Sequence, residues 1–188
     1  MLVLGALRPS YSHSTNAISE LGAYGTPNAA LWNIFGFIIP GLLLAFAGQG
    51  IVQSVNDRQT RQGRIARWLL PAFGLTVAGQ GLIPAVMRDG ELITASWSTR
   101  GHLIMSLISG VAWLGAVLLL ITPMKRSPDW RGRHNFNIAA LLLVIVVAFI
   151  PGSRLPGGLA QRLVDAVVFA WFLVMSVRLI RTVPLKFN

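Results

Sequence analysis

The chain has 188 residues, sixteen Lys and Arg against six Asp and Glu, a formal net charge of +10 and no cysteine. Only 12% of its residues are charged and 54% are hydrophobic, whereas a soluble domain carries about 25% charged residues. The lack of cysteine excludes disulfides, thiolate nucleophiles and Cys-ligated metals. No basic stripe interleaved with aromatics is present, so the positive charge does not argue for nucleic acid. The basic residues lie in short connections beside apolar runs, a pattern that suits anionic lipid headgroups.

Taken in chain order, Met1 to Leu7 is apolar but ends at Arg8-Pro9, which is too short for a membrane span or a signal peptide. It reads as a tail or as the last turns of a helix. Residues 8–30 are polar and rich in small side chains, with Ile18 and Leu21 able to form one face of a short interfacial helix. Apolar runs then predict helices at approximately 30–55, 68–86, 101–122, 136–150 and 159–180. Pro40 is expected to kink the first of these; Pro71 and Pro84 fall in the first and last turns of the second. Pro123 stops the third, and Pro151-Gly152 ends the fourth. A span needs roughly 20 residues, which makes the fourth run marginal. The expected fold is a single all-α domain over residues 1–188, an integral membrane bundle of five transmembrane helices.

Charge asymmetry sets the expected orientation. Arg58, Arg61, Arg64, Arg67, Lys125, Arg126, Arg131, Arg133, Arg178, Arg181 and Lys186 fall on one side of these runs. Arg8, Arg88, Arg100, Arg154 and Arg162 fall on the other. The positive-inside rule places the richer side, with the C-terminus, in the cytoplasm. A short echo, Ala47-Gly48-Gln49-Gly50-Ile51-Val52 and Ala78-Gly79-Gln80-Gly81-Leu82-Ile83, reads as small residues that let helices pack closely rather than as an inverted repeat.

Polar side chains concentrate on the outward side. Asp165 lies about two turns into an apolar helix, where a carboxylate is costly unless it is paired or faces a cavity. His102 sits at the head of its helix, with Ser106 and Ser109 four and seven residues on and therefore on the same face. If Asp165 oriented the imidazole, His102 would serve as general base, with Glu20 a second carboxylate. Tyr11, Ser12, His13, Asn28, Arg100 and Ser106 are the candidate ligand-binding residues. His13, His102 and the carboxylates have the chemistry for zinc but not the local spacing of a metal motif, so no metal and no cofactor is expected. No Gly-x-Ser-x-Gly elbow or phosphate loop is present.

The run Tyr11-Ser12-His13-Ser14, then Ile18-Ser19-Glu20-Leu21-Gly22-Ala23, Pro27-Asn28-Ala29, Asn33 and Phe35 resembles the prokaryotic multi-pass membrane family of unknown-function domain 998. The resemblance is strongest over residues 9–41, and His102 at the head of a helix agrees with it. It implies a six-helix pattern whose first helix precedes the Pro-x-Tyr-Ser segment; only eight residues precede Pro9 here. The family supplies no activity to carry over.

The leading expectation is an uncharacterised multi-pass protein of a prokaryotic cell membrane that binds or transports a small polar molecule or lipid headgroup at an outward-facing polar pocket. The alternatives are an intramembrane lipid-directed hydrolase or transferase using His102 and Asp165, and a structural or assembly subunit. Expected partners are membrane lipids, with anionic headgroups at the cytoplasmic loops, and a second copy or another membrane protein.

Overall fold

The computed structural model describes residues 2–55, 60–149 and 155–182. Arg58, Pro151, Gly152, Arg154 and Lys186 lie outside the described residues. Six helices occur among those described: α1 (Leu2–Ala6), α2 (Ala29–Val55), α3 (Arg61–Leu82), α4 (Trp97–Arg126), α5 (Arg133–Phe149) and α6 (Gly157–Thr182). A 3-10 turn covers Ile18–Gly22, and a two-residue hairpin pairs β1 (Met87–Arg88) with β2 (Glu91–Leu92).

Among the described residues three helices, not five, are both long and apolar enough to cross a membrane: Ala29–Val55, Trp97–Arg126 and Gly157–Arg181. The other two fail for different reasons. The helix expected over 68–86 begins instead at Arg61, where Thr60 Oγ1 caps it by accepting from the Gly63 amide at 3.1 Å. Its first two turns therefore carry Arg61, Arg64 and Arg67, and its last turns carry Thr76 and Gln80, which dilutes its apolar character. α5 is apolar but has 17 residues, about 26 Å at 1.5 Å per residue, short of a hydrocarbon core of about 30 Å.

The prolines also fall elsewhere than expected. Pro71 lies inside α3 and Pro123 inside α4, while Pro84 follows α3. Ahead of Pro40 the backbone of α2 widens into a π segment over Asn33–Ile38, with the Ile39 amide bonding to the Ile34 carbonyl. A proline ring does not fit a regular turn, and a π segment is one way to absorb it. The widening leaves Asn33 and Phe37 facing inward, both buried.

Packing runs around a closed ring: α2 on α3, α3 on α4, α4 on α5, α5 on α6, and α6 back on α2. Two Gly-x-x-x-Ala pairs form the tightest seam. A Cβ at Gly41 would stand 2.7 Å from the Gly74 carbonyl oxygen, and one at Gly74 would stand 2.6 Å from the Gly41 carbonyl oxygen. Ala45 and Ala78 supply the backbone on either side. Small residues at such spacing let helix backbones touch, and in lipid this van der Waals contact is what holds helices together. One glycine of each copy of the echo belongs to this seam, Gly48 against Leu70 and Gly81 against Phe37 and Ile38, while Gly50 faces Leu179 and Gly79 faces Met105.

Large apolar side chains point outward from the ring, including Phe46 (83% exposed), Leu107 (68%) and Leu173 (66%). Inside it, Trp113 meets Trp171 edge-on at 6.0 Å, Trp171 meets Phe172 edge-on at 5.1 Å, and Phe73 stacks on Phe172 at 5.5 Å. Asn137 of α5 binds this cluster by accepting from Trp171 Nε1 at 2.9 Å, while its amide nitrogen donates to the Val117 carbonyl at 3.3 Å.

Candidate functional site

One end of the bundle is built by the segment before α2 and the hairpin connection between α3 and α4. Asp89 and Gly90 both take positive φ (51° and 85°), as a two-residue turn between paired strands requires. An Asp-Gly pair is the sequence signal for such a hairpin. Tyr24 pairs with the same connection, its amide donating to Ala85 and its carbonyl accepting from Met87. Ser98 Oγ donates to the Pro84 carbonyl at 2.6 Å, and Thr99 Oγ1 accepts from the Val86 amide at 3.0 Å.

Arg162 of α6 fastens the polar segment to the bundle. Its guanidinium donates to Tyr11 Oη at 2.6 Å, to the Asn16 carbonyl at 3.0 Å and to the Gly158 carbonyl at 2.7 Å. Its charge also lies 5.8 Å from the centre of the Tyr11 ring, and His13 packs edge-on against that ring at 5.2 Å. Burial pushes the Tyr11 phenol above its ordinary range, against the opposing pull of Arg162. Gln161 Oε1 accepts from the Ile18 amide at 2.9 Å, adding a second tie one residue away.

Glu20 is used locally. Its carboxylate accepts from the Ala17 amide at 2.8 Å and from Asn16 Nδ2 at 2.7 Å, closing the 3-10 turn. Ser12 exchanges a hydrogen bond with Ser14 at 2.9 Å. Asn28 is exposed and left-handed at φ 60° before α2. Arg100 is exposed, bonds the Thr94 carbonyl at 3.3 Å and lies 5.7 Å from the centre of the Trp97 ring.

His102 is buried, and its Nδ1 lies 3.1 Å from the Gln80 carbonyl and 3.2 Å from the Ile83 carbonyl. Carbonyls only accept, so this nitrogen carries the proton. The imidazole thereby joins α4 to the last turn of α3, and Phe37 meets it edge-on at 5.8 Å. Among the described residues no hydrogen bond joins His102 to Asp165. No group of three or more His, Asp or Glu side chains among them is placed to hold a metal ion.

Asp165 instead lines a cavity of about 610 Å³ that opens inside the ring below the Ile18 and Gln161 tie. α4, at 30 residues, spans about 45 Å, well beyond the 17 residues of α5. The cavity lies between α4 and α6, where it reaches exposed Ser106 and Gly110 on one side and Ala166 and Phe169 on the other. Trp113, Phe73 and Val168 form its deep wall, and Trp32, Phe35 and Phe37 its α2 wall. The polar lining is small: Gln80, Ser106, Ser109, Gln161, Arg162 and Asp165. Gln80 Nε2 approaches Ser109 Oγ at 3.4 Å, and Ser109 donates to the Ser106 carbonyl at 2.7 Å.

Of the candidate residues, the structure brings Asp165 and Ser106 to this cavity. His102, Glu20, Tyr11, Ser12, His13, Asn28 and Arg100 do not line it. Gln80 and Gln161 were not singled out in sequence as site residues; a glutamine inside an apolar run is the signal that would have found the first.

Replacing Arg162 by Ala removes the two hydrogen bonds that a charged donor makes to the segment, to Tyr11 and Asn16, each worth about 1.5–3 kcal/mol, together with a long contact to His13 at 3.5 Å. The expected result is at least about tenfold faster proteolysis within residues 8–20 with helical circular dichroism unchanged. Equal cleavage rates would show that the clamp does not hold the segment.

An all-α ring with lipid-compatible outer surfaces and an inner amphipathic cavity defines a membrane-associated helical protein. The chain belongs to the family described as Protein of unknown function (DUF998), whose model matches residues 1–178. No curated protein and no solved structure matches it.

Proposed function

We propose that this protein binds, and through binding carries or presents, an amphipathic lipid-like molecule in the cavity between α4 and α6. The observation that carries this reading is the composition of the walls: aromatic and aliphatic side chains below, with a few convergent polar groups around Asp165. Small-molecule sites have this make-up, at about 300–1,000 Å³. The side opening suits a ligand that enters from the bilayer rather than from water. In this reading the protein is an integral protein of a prokaryotic cell membrane, with the basic end and the C-terminus cytoplasmic by the positive-inside rule. Arg61, Arg64, Lys125, Arg126 and Arg181 then meet anionic headgroups.

The geometry favours this over a hydrolase. A His102–Asp165 pair needs hydrogen-bond reach, and His102 directs Nδ1 to two backbone carbonyls instead.

Gly110 provides the test, because it lines the cavity and a Cβ there meets nothing within 4 Å. Gly110→Phe should fill the opening without disturbing the helices. Native mass spectrometry in mild detergent is expected to show a bound amphiphile on the parent protein and its loss from the variant. A parent with no adduct, or a variant that retains it equally, would sink the reading.

A further inference from the structure

The polar groups of the cavity are balanced in charge, and that restricts what head group they accept. Arg162 and Asp165 are the cavity's two ionisable side chains, one of each sign. They stand three residues apart on α6 and so share a face. No ion pair closes between them within 4 Å, and the guanidinium spends its terminal nitrogens on Tyr11, Asn16 and Gly158. Asp165, half-buried, accepts no hydrogen bond from any described residue while lining the cavity. The cavity is also lined by Gln80 and Gln161, which carry amide groups, and by Ser109, whose hydroxyl proton is already given to the Ser106 carbonyl.

We infer that the ligand's head is uncharged and hydroxyl-bearing, of the monoacylglycerol or long-chain diol kind; this rests on the binding role proposed above. A hydroxyl donates to the Asp165 carboxylate, which a phosphate or carboxylate head cannot do. It can also accept from the neighbouring amides, which an ammonium cannot. A neutral head leaves the opposed charges of Arg162 and Asp165 balanced, whereas an anion or a cation would add an uncompensated charge at membrane depth.

Trp113 and Trp32 line the cavity, so their fluorescence reports its occupancy. Three probes carrying the same dibrominated long chain are compared on the intact protein in mild detergent: a monoacylglycerol, an alkyl sulfate and a primary alkylamine. The difference in quenching between the parent and Trp113→Phe isolates the cavity from the exposed tryptophans Trp68 and Trp97. Saturable quenching by the monoacylglycerol is expected at concentrations at least about tenfold below either charged probe, a preference of about 1.4 kcal/mol. In Asp165→Asn the sulfate should overtake the amine and approach or pass the monoacylglycerol, because Arg162 is then uncompensated. Tightest quenching of the parent by the amine or by the sulfate would overturn the neutral head group while leaving the cavity as a binding site. No Trp113-dependent quenching by any probe would overturn the binding role itself, and the head-group inference with it.

Discussion

Gly74→Val is expected to abolish the folded bundle. A Cβ at this position would lie 2.6 Å from the Gly41 carbonyl oxygen and closer still to the backbone of Ala45. Both obstacles are main chain of another helix, so no side-chain rotation relieves them; α2 and α3 must move apart. Overpacking a core costs about 1–3 kcal/mol when neighbours can adjust, and here they cannot without opening the seam along its length. That seam is a principal backbone-to-backbone van der Waals contact between the two helices. Gly41→Val should do the same from the opposite side, since its Cβ would meet Gly74 and Ala78. Gly110→Ala is the control, with open space around its Cβ. Size-exclusion chromatography and thermal circular dichroism in detergent read the outcome. A Gly74→Val protein that elutes and melts like the parent would show that the two backbones do not touch there.

Asn137→Ala should be the most damaging change to a polar residue, lowering stability by about 2–4 kcal/mol. Asn137 is fully buried and joins three helices: it accepts from Trp171 Nε1 and donates to the Val117 carbonyl and to Met124 Sδ. Truncation leaves the indole N–H buried without its acceptor, a penalty of about 1–3 kcal/mol, and adds the cost of a small void against a packed tryptophan. Trp171→Phe in the Asn137→Ala background separates the two contributions, because it removes the orphaned donor. The double variant is expected to lose less than the sum of the two single losses when melted in detergent. Simple additivity would mean that the Asn137–Trp171 bond contributes nothing measurable.

Several features were legible along the chain because they are sums over neighbouring residues. Low charge, long apolar runs and basic connections follow from composition in a window, and they point to a membrane. The Tyr11-Ser12 and Ile18-Ser19-Glu20-Leu21-Gly22 blocks carried the family resemblance, and the match over residues 1–178 establishes that membership. The same window reasoning failed at α3. Apolarity suggested a start at 68, whereas a Thr60 cap lets the helix begin at Arg61, among charges that no apolar count would include. Counting spans from apolar runs consequently gave five where three helices meet both requirements of length and apolarity.

The candidate site shows the same division. A carboxylate inside an apolar helix is conspicuous in any sequence, and so was Asp165. Pairing it with His102 required knowing how two helices distant in the chain are rotated against each other. Periodicity gives the residues that share a face on one helix, but not the face that a neighbouring helix presents to it. The backbone contact of Gly41 with Gly74, the widened turn before Pro40 and the closure of α6 onto α2 set those rotations. The sequence by itself determined membrane association, the family and a carboxylate inside an apolar helix, because each depends on residues close together in the chain. The tertiary structure alone decided that His102 bonds the α3 backbone while Asp165 faces a cavity, because that depends on contacts between helices whose rotations no local run encodes.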